Sequence, residues 1–192
     1  MTKTLGIVLS GGRGSRIGNA DKGLQLYQGA PLVSWVIKKL KPQVDELAIS
    51  INRNKSEYAK FALSTVFDKS NGDWLGPISG ILSVSQEPQN QPFSHFLICP
   101  CDSPNISKNY VERLQSALLK STKNVAVAHD GKRVQNLHCL MSNKAINALQ
   151  KYYDDGGRSM YSWLKEIKAL EVDFSDQTKH FININTFNEL DT

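Results

Sequence analysis

Leu5-Gly6-Ile7-Val8-Leu9-Ser10-Gly11-Gly12-Arg13-Gly14-Ser15-Arg16, continuing to Asp21-Lys22-Gly23, joins an apolar run to a glycine-rich turn flanked by cations. The run of Leu, Ile and Val reads as a buried strand. Glycines without a Cβ let backbone N–H groups converge on an anion, and a helix start behind them adds positive dipole. Arg16 can grip phosphate with a bidentate fork and Lys22 as a compact charge, while Arg13 can equally be solvated. The stretch therefore suits a triphosphate held at the end of a first strand. Two commoner phosphate loops do not fit it. No glycine stands in the frame G-x-x-x-x-G-K-[ST]. For the dinucleotide pattern G-x-G-x-x-G, Gly12-x-Gly14 reaches Gly18 one residue late, and the expected acidic residue is missing where Ile49-Ser50-Ile51-Asn52 stands.

Outward from this turn, strand-like and helix-like segments alternate. Strands are expected at residues 5–9, 47–51, 65–67, 96–99, 125–128, 134–141 and 169–174. Pro31 opens a helix with Leu32, Trp35, Val36 and Leu40 at a spacing near 3.6, and Pro42 stops it. Further helices are expected at 56–63, 77–85, 107–119 (capped by Ser107), 143–152 and 159–167. A final strand at Phe181-Ile182 should turn through Asn183-Ile184-Asn185 into a short terminal helix. The alternation argues for an α/β fold: a mostly parallel twisted sheet with helices on both faces, in three layers. A ligand would sit at the carboxyl ends of its strands.

With 192 residues, 40% of them hydrophobic, the chain can bury one core, so residues 1–192 are expected to form a single domain. No apolar run is long enough for a membrane span, and the first strand starts too early for a signal peptide. Three cysteines, two of them flanking one proline, do not make a disulfide framework. A cytoplasmic setting is expected. The 23 basic residues against 18 acidic ones give a net charge of +5. The lysines are scattered rather than striped with aromatics, so phosphorylated small molecules fit better than nucleic acid.

Three further groups carry chemistry. Asp102, in Cys99-Pro100-Cys101-Asp102-Ser103-Pro104, is either a plain turn residue or a hard oxygen ligand for Mg²⁺–triphosphate at a strand end. Asn183 and Asn185 can both face one site if the segment is extended, or can serve as turn and cap residues. Arg158, in Gly156-Gly157-Arg158-Ser159, is either a helix-entry residue or a contact for a second anionic substrate. His95, His138 and His180 are scattered and read as structural or solvated. No Ser–His–Asp or Cys–His arrangement has a useful spacing.

The first loop resembles the nucleotidyltransferase signature L-x-G-G-x-G-x-R…D-K, and most of all that of the molybdenum cofactor guanylyltransferases. The likeness continues through Gly29-Ala30-Pro31-Leu32, Pro42-Gln43-Val44 with Ile49-Ser50-Ile51-Asn52-Arg53, Asp68 with Gly76-Pro77-Ile78-Ser79-Gly80, the Asp102 segment and Phe181-Ile182-Asn183-Ile184-Asn185-Thr186. The resemblance implies a Rossmann-like nucleotidyltransferase fold that moves GMP from GTP to the phosphate of molybdopterin and releases pyrophosphate. It implies Arg16, Lys22 and Asp102 as catalytic groups, with Asp102 holding Mg²⁺. GTP would be bound by Leu9, Ser10, Gly11, Gly12, Gly14, Lys22, Ser50, Asn52, Asp68 and Asp102. Asp68 matches the guanine position, where a carboxylate can accept from N1–H and N2–H₂. Arg158, Asn183 and Asn185 fall to the second substrate. Gln135-Asn136 stands where relatives often have His-Pro. The implied partners are GTP, molybdopterin and, transiently, proteins of molybdenum insertion and cofactor delivery. Neither nucleic acid nor a membrane is expected, and the chain should be a monomer. A cytidylyl- or sugar-nucleotidyltransferase with the same loop, or a nucleotide-binding module without turnover, are the competing readings.

Overall fold

A computed structural model of the chain describes residues 3–11, 20–68 and 76–184. The strands are β1 (Thr4–Leu9), β2 (Leu26–Tyr27), β3 (Ala30–Pro31), β4 (Glu46–Ile51), β5 (Ser64–Phe67), β6 (His95–Pro100), β7 (Val125–His129), β8 (Val134–Ser142) and β9 (Leu170–Asp173). The helices are α1 (Leu32–Leu40), α2 (Lys55–Ala59), α3 (Pro77–Ser85), α4 (Tyr110–Leu119), α5 (Asn143–Asp154) and α6 (Met160–Glu166). Seven strands form one sheet in the order β5-β4-β1-β6-β8-β7-β9. β1 pairs in parallel with β4 and β6, β4 with β5, and β7 with β9. β8 runs antiparallel to both β6 and β7. The reason is local: the link Asp130 to Arg133 is a tight turn, and a tight turn can only return a strand antiparallel. Asp130 Oδ1 accepts from the N–H groups of Lys132 and Arg133 there, at 2.8 Å each.

The pleat sends alternate side chains to opposite faces. Leu5, Ile7 and Leu9 of β1, with Phe96 and Ile98 of β6, join a core under α3, α5 and α6. Val8, Leu97 and Cys99 join a second core under α1, α2 and α4. Two cores on one sheet make the three layers. On α1 the buried positions are Leu32, Val33, Val36 and Leu40. Trp35 instead lies half-buried over a small hairpin, its Nε1–H donating to the Tyr27 carbonyl at 2.8 Å. That hairpin, β2–β3, turns on Gln28 and Gly29 with φ of 48° and 79°. Positive φ at both central positions is the turn that matches the strands' twist. It lacks a long apolar alternation to announce it.

Three expectations need correction. The helix expected at 56–63 stops at Ala59, because Ala62 takes a positive φ of 53° that no helix tolerates. Ser107 does not cap α4. Its Oγ donates to Gln177 Oε1 at 3.1 Å, and the Val111 N–H is met by Gln43 Oε1 from across the fold. Phe181-Ile182 is not a strand, since Ser175–Phe181 winds as a 3-10 segment and no ladder partner adjoins it among the described residues. Phe181 is buried against Phe174 and His138 instead. The expected terminal helix lies outside the described residues.

Chain order explains where a ligand can enter. From β1 the chain moves outward through β4 and β5, then returns to place β6 on β1's other side. The crevice opens at such a reversal, above the carboxyl ends of β1 and β6. Ser10 and Asp102 stand at those two ends.

Candidate active site

Lys22 begins a single 3-10 turn, Lys22–Leu24, and its Nζ lies 2.5 Å from Asp102 Oδ2. The two groups are 80 positions apart in sequence and meet across the mouth of the crevice. The other carboxylate oxygen, Asp102 Oδ1, is buried and has no hydrogen-bond partner among the described residues. A buried carboxylate oxygen left without a donor is costly unless a cation or ligand group completes it.

Asp21 fixes the turn that carries Lys22. It is buried, accepts from the Tyr58 hydroxyl at 2.6 Å and from Asn54 Nδ2 at 3.0 Å, and faces Arg53 Nε at 3.8 Å. Arg53 also donates to the Ala20 carbonyl at 2.8 Å, so the segment before Lys22 is held on both sides. Burial first, then the neighbouring Cys101 and Asp21, pushes the Tyr58 phenol far above its ordinary range, so it stays a donor. Gly23 completes the packing: a Cβ there would meet the Tyr58 oxygen at 2.5 Å and Ser10 Oγ at 2.9 Å.

A second cluster lies at the ends of β4 and β5. Asp68 accepts from Asn52 Nδ2 at 3.3 Å and from the Ser79 hydroxyl at the start of α3. Its backbone N–H donates to the Ile51 carbonyl at 2.8 Å. Asn52 also lies against Gly11, where a Cβ would stand 1.8 Å from Asn52 Oδ1. Any side chain at Gly11 would drive Asn52 off Asp68, so this glycine couples the end of β1 to the Asp68 carboxylate. Ser50 is buried, takes the Ser10 N–H on its carbonyl at 2.8 Å, and packs its Oγ where a Gly80 Cβ would come within 2.6 Å. Gly80 is thus small because α3 crosses β4 closely there.

Leu9 and Ser10 are buried beside these groups. Gly12, Arg13, Gly14 and Arg16 lie outside the described residues, as does Asn185. Asn183 is brought to Asp102: the Ile184 N–H donates to the Asp102 carbonyl at 3.0 Å, and Ser103 Oγ donates to Asn183 Oδ1 at 2.9 Å. A cavity of about 260 Å³ adjoins them, lined by Asp102, Asn183, Arg133, Gln135 and Asn136 among others. The last three come from the β7–β8 turn and the start of β8. Arg158 is turned to a local task. Its guanidinium stacks over the Tyr153 ring at 4.0 Å and donates to the carbonyls of Tyr153 and Gly157.

The cysteines are packing residues in the sheet. Cys99, Cys101 and Cys139 are all buried and free, and burial raises each thiol, Cys101 to about 12. None is poised as a nucleophile. His138 is buried too, and burial, with His180 adding to it, lowers its pKa to about 3.

The chain matches the family model described as MobA-like NTP transferase domain over residues 6–170. A molybdenum cofactor guanylyltransferase from Mannheimia succiniciproducens is 38% identical over 193 residues, covering 100% of both chains. One from Shewanella sediminis is 36% identical over 94% of this chain and 90% of its own. Among solved structures, molybdopterin-guanine dinucleotide biosynthesis protein A from Archaeoglobus fulgidus superposes with a TM-score of 0.76 at 21% identity, over 97% of this chain and 95% of that one. A 4-diphosphocytidyl-2C-methyl-D-erythritol synthase from Anaerococcus prevotii, at TM-score 0.68 and 13% identity over 98% of this chain and 95% of that one, shares the fold.

Proposed function

The chain belongs to the MobA-like NTP transferase family, and from that premise we propose that it transfers GMP from GTP to the phosphate of molybdopterin. The observation that carries the reading is the Lys22–Asp102 pair at the chain reversal, with Asp102 Oδ1 buried and without a partner among the described residues. An oxygen of the acceptor's phosphate attacks the α-phosphorus of GTP, a new P–O–P bridge forms, and the bond to the β-phosphate oxygen breaks to release pyrophosphate. Both reactants are anions, so the protein's task is charge neutralisation and in-line positioning.

Lys22 Nζ would meet the triphosphate, held in place by the Asp21–Tyr58–Asn54–Arg53 bonds beneath it. Arg16 and the amides of Gly11, Gly12 and Gly14 would complete the phosphate cradle. Asp102 fits Mg²⁺: its Oδ1 is an orphaned hard donor, and among the described residues no cluster of three or more His, Cys, Asp or Glu side chains exists to hold a cation alone. A single carboxylate together with phosphate and water oxygens is how this ion is commonly bound, and when bound it neutralises charge on the phosphates. Asp68 supports guanine as the base. Each of its oxygens already accepts one bond, and each keeps a lone pair for guanine N1–H and N2–H₂. Adenine and cytosine cannot offer that donor pair. Ser10, Asn52 and Ser50 would shape the same pocket, with Asn183 and Asn185 toward the acceptor, while the local bonds of Arg158 set it aside from that role. Under this reading the enzyme acts as a cytoplasmic monomer between proteins that insert molybdenum and proteins that receive the finished cofactor.

Titration of GTP, CTP and ATP with Mg²⁺, followed by a pyrophosphate-release assay with molybdopterin, tests the proposal. GTP should bind at least tenfold more tightly than the other two, and pyrophosphate should appear only when GTP and acceptor are both present. Preferred binding of CTP would move the protein to the cytidylyl class. GTP binding without pyrophosphate would make it a binding module.

A further inference from the structure

Ser79 is not among the groups that the family resemblance gives to either substrate, yet it grips the carboxylate assigned to guanine. It is the third residue of α3 and is buried, and its hydroxyl donates to Asp68 Oδ1. A serine on a helix ordinarily turns its hydroxyl to solvent or back to a carbonyl of its own helix. This one reaches across to the end of β5. The seating of α3 fixes that reach. Every residue from Ile78 to Ser85 is buried, and at Gly80 the helix lies so close to β4 that a Cβ would stand 2.6 Å from Ser50 Oγ.

The carboxylate of Asp68 has two torsions to fix, and its own backbone settles neither. The bond from its N–H to the Ile51 carbonyl, at 2.8 Å, holds only the main chain. Asn52 Nδ2 meets Oδ2 at 3.3 Å, at the long end for such a bond. With that contact alone, the group could swing about its Cβ–Cγ bond. A second donor on the other oxygen, supplied by a different element, sets the plane. That plane matters for one base. Guanine presents N1–H and N2–H₂ side by side, so a carboxylate that receives both must lie in the plane of the ring. Hypoxanthine has N1–H but no amino group, so it needs one oxygen and tolerates a tilted carboxylate.

We propose that Ser79 is a positioning residue for base selection: its hydroxyl holds the plane of the Asp68 carboxylate, so that both oxygens face the paired donors of a guanine ring. The proposal rests on the guanylyl-transfer reading above, with Asp68 as the base contact. It makes α3 the element that selects the base, while Lys22 and the bonds beneath it hold the phosphates.

The experiment titrates the full chain by calorimetry with GTP, inosine triphosphate (ITP) and inorganic triphosphate, each with Mg²⁺. Wild type, Ser79→Ala, Ser79→Thr and Asp68→Asn are compared, with a thermal melt for each. Wild type should prefer GTP to ITP by about tenfold, the value of one further hydrogen bond to a charged group. Ser79→Ala should cut that preference to about threefold or less by weakening GTP, with ITP and triphosphate within about twofold of wild type. Its kcat for transfer to molybdopterin at saturating GTP should also stay within about twofold, since the reacting phosphate is not touched. Ser79→Thr, which keeps the hydroxyl, should keep the preference, and Asp68→Asn should abolish it. A full preference for GTP in Ser79→Ala, beside its loss in Asp68→Asn, would overturn the positioning role and leave Asp68 as the guanine contact. Equal weakening of GTP, ITP and triphosphate in Ser79→Ala, or loss of the preference in folded Ser79→Thr, would overturn it too. A preference that survives Asp68→Asn, or a wild type that does not distinguish GTP from ITP, would overturn the reading beneath it. Should the added methyl group of Ser79→Thr unseat α3, as its melt would show, Ser79→Ala decides alone; alanine is the best helix former and removes only one oxygen.

Discussion

The two halves of the sheet treat their polar groups in opposite ways. In the parallel half, β5-β4-β1-β6, polar side chains stand past the carboxyl ends of the strands and pair across the crevice, Asn52 with Asp68 and Lys22 with Asp102. Beside β8, the antiparallel strand, the polar chain from Tyr110 through His138 and Ser103 to Asn183 runs within the layer, among the rings of Phe174 and Phe181. Groups at a rim can exchange a protein partner for a ligand at modest cost. Groups inside cannot, because an unmet donor there has no water to turn to. The rim is therefore suited to binding and charge neutralisation, and the interior chain to tying β8 to the segments around Ser103 and Asn183. Both arrangements end within two residues of each other, at Asp102 and Ser103.

Asp102→Asn is the strongest test of this division. The substitution keeps the side chain's size and removes its charge, so Mg²⁺ would be held by phosphate oxygens alone. A contact made mainly in the transition state is worth about 3–4 kcal/mol, a rate loss on the order of 10²–10³. The melting temperature should change little, because a rim group contributes little to folding. Guanylyl transfer across a Mg²⁺ titration, with a melt beside it, reads both. A large loss of stability would move Asp102 to the interior class, and near-normal rates at ordinary Mg²⁺ would remove it as the metal ligand.

Asp21 sharpens the comparison, since it supports Lys22 at the rim of the parallel half but is itself buried. If burial rather than location decides, Asp21→Ala should cost stability first. It would strand the Tyr58 hydroxyl and release Asn54 and Arg53, a loss of about 2–3 kcal/mol. For a chain of this size that is a fall in melting temperature of roughly 4–12 °C. GTP affinity should fall as well, because Lys22 would lose its footing. A melt within about 1 °C of wild type would mean that the four groups at Asp21 do not act as a support.

The same contrast explains what could be read from the chain alone. The parallel half was legible because each of its strands ends in residues proposed for the site: Leu9 into Ser10-Gly11, Ile51 into Asn52, Phe67 into Asp68, Pro100 into Asp102. Local pattern and site coincide there. Ser103, His138 and Asn183 are 35, 80 and 45 positions apart pairwise, and nothing in the neighbourhood of His138 sets it apart from a core histidine on a strand. Only the sheet order, with β8 inserted beside β6, brings them together. Phe181 was misread for a related reason. An apolar pair before a turn looks like a strand end, yet its partners are rings from β8 and the segment after β9 rather than a ladder. The β2–β3 hairpin escaped notice because two residues per strand are too few for any period to appear.

The smallest expected effect is also the one that tests the interior class most directly. Burial lowers the pKa of His138 from an ordinary 6.5 to about 3. Between those values the unfolded chain carries a proton on this ring and the folded one does not, so stability rises with pH across that window. Stability from this group is fully present above about pH 6.5 and is lost as pH falls toward 3. At about 1.4 kcal/mol per pH unit, the loss by pH 5 is on the order of 2 kcal/mol. His95 and His180 are also lowered by burial and act with the same sign, while Asp130, lowered by its hairpin bonds, adds only in more acid solution. The clean measurement is therefore a difference. Urea unfolding of wild type and His138→Gln at pH 7 and pH 5 should show the variant losing about 2 kcal/mol less over that interval, since Gln keeps the hydrogen bonds and cannot take a proton. Equal losses in the two proteins would mean that His138 titrates as a solvated imidazole does. A ring free to take a proton would be in contact with water, and the contrast between rim and interior would fail at the residue on which it depends most.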